Sequence, residues 1–177
     1  RIAFELIRLG NLYERFELYS EAMAQYRLAG TFLSPVGSDT LSVELKNSIA
    51  KVEIGMENYD SAHGLLEESL QMADQANDTL GKAQSYGLLG ICAEKKGDYL
   101  EALELQRHSL ELYQAIGDSL GEALAEENIG SIYEDLEQYD LAYEHFSKSF
   151  SYLERRSISK TANLLNNLGD IRRKQGR

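Results

Sequence analysis

The stretch Gly97-Asp98-Tyr99-Leu100-Glu101-Ala102-Leu103 decides the fold, because the chain repeats its key positions at a fixed step. Forty positions upstream Tyr59 stands over Ala62, a further forty upstream Tyr19 stands over Ala22, and forty downstream Tyr139 stands over Ala142. The same step of 40 carries Gly10 to Ala50, Gly90 and Gly130. A period of this length marks a repeat array, in which each unit buries its apolar face against its neighbours.

Aligned in blocks that start at 1, 41, 81 and 121, each block holds two apolar segments at helical spacing joined by a short polar turn. In the first segment one column reads Leu9, Ile49, Leu89, Ile129, and another reads Leu12, Val52, Cys92, Ile132. Together with the small column at Gly10, these offsets describe one buried stripe with room for a close neighbour. The second segment opens on the Tyr and Ala columns and continues through Met23, His63, Leu103, Tyr143. Glu57-Asn58, Gly97-Asp98 and Glu137-Gln138 read as turns within pairs. Ser34 to Asp39 (with the sole Pro, Pro35), Asp74 to Asp78 and Ala115 to Asp118 read as breaks between pairs. Asp78 and Asp118 stand where an N-cap carboxylate satisfies the free N–H groups of a following helix. The expectation is an all-α, right-handed solenoid of antiparallel helix pairs, with helices near 1–17, 20–33, 40–56, 60–76, 79–96, 100–115, 119–136, 140–155 and 159–175. It forms a single array over 1–177, with repeats near 1–38, 39–78, 79–118 and 119–157 and a partial fifth at 158–177. Because the chain opens on Arg1 and the fifth block lacks a second helix, it is read as a fragment of a longer protein.

Composition narrows the function classes. The formal net charge is −11, from 18 Lys+Arg against 29 Asp+Glu. That argues against nucleic acid or an anionic membrane, both of which call for clustered cations, and favours neutral to basic partners. One Cys permits neither an internal disulfide nor a cysteine metal cluster, in keeping with a cytoplasmic, reducing setting. No apolar run approaches the ~20 residues of a membrane span.

The repeat resembles the tetratricopeptide repeat family over essentially the whole chain. Leu9, Gly10, Tyr13, Ala22, Tyr26 and Ala29 follow the family pattern in the first unit, Tyr86, Leu89, Gly90 and Ala102 in the third, and Ile129, Gly130, Tyr133, Ala142 and Phe146 in the fourth. The period of 40 exceeds the common 34, the closing Pro is missing, and Ser69, Ser109 and Ser149 replace the last Ala. The long period is similar to that of Leu-Gly-Asn-type adaptors, kinesin light chains and bacterial signalling arrays. The resemblance implies a concave groove, lined by first helices, that holds an extended peptide or a helix. It also implies an Asn before the Leu-Gly pair that bonds the partner's main chain, a task suited to an amide's donor and acceptor. Asn128 and Asn167 match that position, and Ser48, Leu88 and Arg8 depart from it. Asn47 and Asn166 stand one position earlier, and Asn11 one after the Gly. Lys51, Gln84, Glu127 and Ser131 complete the candidate wall.

Other chemistry-bearing residues read as structural. Cys92 occupies a core column, His63, His108 and His145 fall at unrelated repeat positions, and the acidic runs Glu126-Glu127 and Glu134-Asp135 read as solvated faces. No catalytic residues, metal or cofactor are expected. The chain reads as a non-catalytic interaction scaffold. The alternative is a regulatory, sensing or dimerisation domain of a larger signalling protein, of bacterial type, such as a histidine kinase, cyclase or transcription regulator; self-association stays open.

Overall fold

The computed structural model describes residues 1–33, 40–154 and 161–176. They form nine helices and no strand: α1 Ile2–Arg15, α2 Tyr19–Gly30, α3 Thr40–Gly55, α4 Tyr59–Ala76, α5 Thr79–Lys96, α6 Tyr99–Ile116, α7 Ser119–Asp135, α8 Tyr139–Glu154 and α9 Thr161–Lys174. The expected break from Ser34 to Asp39, with Pro35, lies outside the described residues. Second helices begin on the Tyr column itself, one residue earlier than periodicity suggests. A Tyr in the first turn has structural work there: the Tyr19 ring lies against Gly55 of the next pair, where an added Cβ would fall 2.5 Å from the phenol oxygen.

Turn chemistry repeats with the array. Within each pair the chain reverses through a left-handed residue: Glu17 (φ 59°), Glu57 (62°), Gly97 (86°) and Glu137 (58°). Between pairs, Asn77 (φ 53°) and Gly117 (φ 70°) end α4 and α6 in the same conformation, which frees the backbone to satisfy the last carbonyls. The expected caps are in place. Asp78 accepts from the Gly81 N–H at 2.9 Å, and Asp118 from the N–H groups of Leu120 (3.1 Å) and Gly121 (3.2 Å).

Each helix packs on its sequence neighbours, and the first helices also touch one another, α1 on α3, α3 on α5 and α5 on α7. The second helices make no contact of that extent. Crowding on one side and splaying on the other curves the stack, so the first helices line the inner wall. The core follows the columns in the later units, where Val52, Ile129, Ile132 and Phe146 are fully buried, whereas Leu9 and Leu12 of the expected buried stripe are exposed on α1, at 39% and 48%, on a face that α2 and α3 leave uncovered. Cys92 is buried in a cluster with Ala50, Leu66 and Leu89, and burial pushes its thiol up to about 11, so it is a small hydrophobe at neutral pH. Pairing across each unit is by size. A Cβ added at Gly10 would fall 2.3 Å from the Tyr26 ring, and one at Gly130 would fall 2.7 Å from the Phe146 ring. Where the second unit has Ala50, its partner in the column is the smaller Leu66, and both are buried in one cluster. None of the described helices is long and apolar enough to cross a membrane.

Candidate functional site

The inner wall encloses a concavity of about 380 Å³, within the range of ligand sites. Helix α1 contributes Asn11; α3 contributes Glu44, Ser48 and Lys51; α5 contributes Gln84, Leu88 and Ile91; α7 contributes Leu124 and Asn128. Seven-residue spacing on α3 and α5 places Glu44 over Lys51 and Gln84 over Ile91 on one helical face. The floor is closed from α6 by Gln106, Ser109 and Tyr113. An apolar centre is thus flanked by amides.

Asn128 Nδ2 donates to Gln106 Oε1 at 3.3 Å, and Gln106 Nε2 donates to the Gly87 carbonyl at 2.8 Å. These bonds orient the Asn128 amide at the border of the concavity. Asn11 accepts at Oδ1 from the Tyr26 hydroxyl at 2.7 Å, which leaves its NH₂ outside that bond. Burial pushes the Tyr26 phenol well above its ordinary range, so it remains a donor. Asn47 also borders the concavity but uses its amide inside the wall. Its Oδ1 accepts from the Ser69 and Ser85 hydroxyls, both at 2.8 Å, and its Nδ2 donates to the Gly81 carbonyl at 3.2 Å. At 4% exposure, Asn47 ties three helices together and has little left to offer a ligand.

Lys51 is exposed on the rim and Gln84 half-buried. Glu127 and Ser131 are half-buried on α7, away from the concavity, while Asn166 is exposed and Asn167 half-buried on α9. The structure therefore brings together Asn11, Asn47, Lys51, Gln84 and Asn128, and leaves the other four apart. Sequence reasoning missed the floor, since it assigned the groove to first helices alone. The available signal was Gln106, the one polar residue in the column Tyr26, Leu66, Gln106, Phe146. The acidic runs are not wholly solvated faces: Glu126 is buried and lies 2.6 Å from His145 Nδ1, while Lys174 reaches Glu134 at 2.8 Å.

Glu44 is the outlier in this wall. It is half-buried, and burial, then the nearby Asp78 charge, push its carboxyl above the usual range. A folded-state pKa above the unfolded one means that the native chain holds the proton more tightly, so stability falls as pH rises between the two values. Glu44→Gln is accordingly expected to raise the urea midpoint at pH 7, with the gain disappearing as the pH is brought down towards 4. An unchanged midpoint at pH 7 would mean that the carboxylate is fully solvated.

Fold and wall together define a class: a curved stack of helix pairs that presents a fixed, amide-studded groove. Within that class the chain belongs to the tetratricopeptide repeat family, whose models match residues 40–115 and 127–152, together more than half of its length. No curated protein matches it. Among solved structures it is similar to the apo form of RapI, at 20% identity and TM-score 0.79, covering 98% of this chain and 64% of that one. It is also similar to the Rap conjugation gene regulator of plasmid pLS20, solved in complex with a Phr peptide, at 15% identity and TM-score 0.81, covering 96% and 47%. A third is the signal-transduction ATPase with a tetratricopeptide repeat sensor from Pyrococcus horikoshii, at 17% and 0.81, covering 98% and 26%. The chain spans less than two thirds of each of these three, and at such identities the likeness is one of fold.

Proposed function

We propose that the chain is a non-catalytic recognition module that holds an extended peptide segment of a protein partner across α1, α3, α5 and α7, within a larger cytoplasmic signalling protein. The observation that carries this reading is the Asn128–Gln106–Gly87 relay, which holds an amide in place on the wall of the concavity. A preorganised amide bonds a peptide unit with little ordering cost at the moment of binding. The Rap regulator solved with a peptide supports the extended-segment form, and the tetratricopeptide repeat sensor of the Pyrococcus horikoshii neighbour supports the regulatory context.

The test is selection of ligands from a random octapeptide library on the whole chain, followed by affinity measurement on a variant carrying Gln84→Ala and Asn128→Ala. The variant is expected to bind the selected peptides at least tenfold more weakly while its unfolding free energy, from urea titration, changes by less than ~1 kcal/mol. Peptides that bind both proteins equally, or a library that yields none, would remove the groove as the site.

A further inference from the structure

The concavity is lined by two charged side chains, Glu44 and Lys51, in a chain with 18 Lys+Arg and 29 Asp+Glu. Both stand on α3, seven positions apart, or roughly 10 Å along the axis at the usual helical rise. No described cation forms an ion pair with Glu44, and no described carboxylate forms one with Lys51. Elsewhere on these helices lysines do find partners: Lys46 reaches Glu68 at 2.6 Å and Lys82 bonds Asp74. The two groove charges are thus held apart from each other and unanswered by the rest of the described wall. Between and beside them the lining is apolar or amide: Leu88, Ile91 and Gln84.

A half-buried carboxylate without a counter-ion is unfavourable in the empty protein, and an arriving cation relieves it. An exposed lysine at the rim adds a second, oppositely signed anchor. Resting on the peptide-binding reading above, we infer that the groove selects a dipolar extended peptide, with a cationic group seated at Glu44 and an anionic group at Lys51. Since an extended chain covers ~3.3–3.6 Å per residue, the two charges would be about three residues apart. Side chains or free chain ends supply the same charges. The overall negative charge draws the cationic end, and Lys51 sets the direction in which the peptide lies.

The experiment uses two random octapeptide libraries on the whole chain, one with acetylated and amidated ends and one with free ends. Enrichment of Lys or Arg about three positions from Asp or Glu in the capped library assigns the charges to side chains. Enrichment confined to the free-ended library assigns them to the termini, and either result supports the inference. The selected peptides are then measured by fluorescence anisotropy on Glu44→Lys, Glu44→Gln and Lys51→Glu. Glu44→Lys is expected to weaken binding at least tenfold and Glu44→Gln about threefold. A peptide whose cationic group is exchanged for an anionic one is expected to recover most of the affinity on Glu44→Lys. Should Glu44→Lys fail to fold by its urea transition, Glu44→Gln and the exposed Lys51→Glu decide the matter. Peptides that lose affinity on the Gln84→Ala, Asn128→Ala variant yet ignore Glu44 and Lys51 would overturn dipolar selection and leave the groove reading intact. Peptides indifferent to all four positions, or no peptides at all, would overturn both.

Discussion

Gly130→Ala is expected to cost the array ~1–3 kcal/mol of unfolding free energy, and Phe146→Leu in the same chain is expected to restore much of it. The new Cβ would fall 2.7 Å from the Phe146 ring, and that ring is fully buried, so it has nowhere to retreat. Overpacking of this kind is relieved when the opposing side chain shrinks. The second unit carries the relieved version, with Ala50 and Leu66 in the equivalent columns and both fully buried. Phe146→Leu alone leaves a void beside Gly130 and lowers stability through cavity formation. The double variant exchanges one native solution for another found in the same chain. Urea unfolding of the four proteins gives the coupling directly. A double-variant loss equal to the two single losses, within ~0.5 kcal/mol, would show that these columns do not pack as a unit.

This pairing also explains how far the fold was legible in the sequence. Tyr19, Tyr59, Tyr99 and Tyr139 recur at a constant step because each opens a second helix, and the small column recurs because each first helix admits one large neighbour. Translational symmetry turns a local rule into a visible one, and even Asp78 and Asp118 could be placed as caps. The site was less legible because it is where symmetry breaks. Asn11 and Lys51, read as wall residues from their column, and Asn128, read from the family resemblance, all border the groove. Glu127 and Asn47 share a column 80 residues apart, yet Glu127 lies away from the concavity while Asn47 borders it and turns inward. Which way an amide turns depends on hydroxyls brought from other helices, and a repeat alignment carries no record of that. The contribution of Gln106 escaped for the same reason: its column is apolar in the other units, and only tertiary contact shows its side chain bonded to Gly87 and Asn128.

Asn47→Ile is the companion prediction, and its expected effect is on folding. The substitution removes the acceptor of two buried hydroxyls, Ser69 and Ser85, and the donor to the Gly81 carbonyl. Buried polar groups left without partners cost about 1–3 kcal/mol. Part of that is recoverable locally, since Ser85 Oγ already lies 2.9 Å from the Gly81 carbonyl and Ser69 Oγ lies 3.2 Å from Ser85 Oγ. The first unit shows what a complete replacement looks like. Its equivalent positions are Ile7, Ala29 and Leu45, all buried in one apolar cluster at the same three-helix junction. The triple variant Asn47→Ile, Ser69→Ala, Ser85→Leu copies that junction, and it is expected to recover at least half of the stability lost by Asn47→Ile alone, because a matched apolar set leaves no orphaned hydroxyl. A triple variant less stable than the single one would mean that the backbones of the two junctions differ enough to make the polar set irreplaceable. The same proteins separate the two asparagines by role. Peptide affinity per folded molecule should be nearly unchanged in the triple variant, whose Asn128 relay is intact, whereas Asn128→Ala should weaken binding and leave the urea midpoint almost where it was.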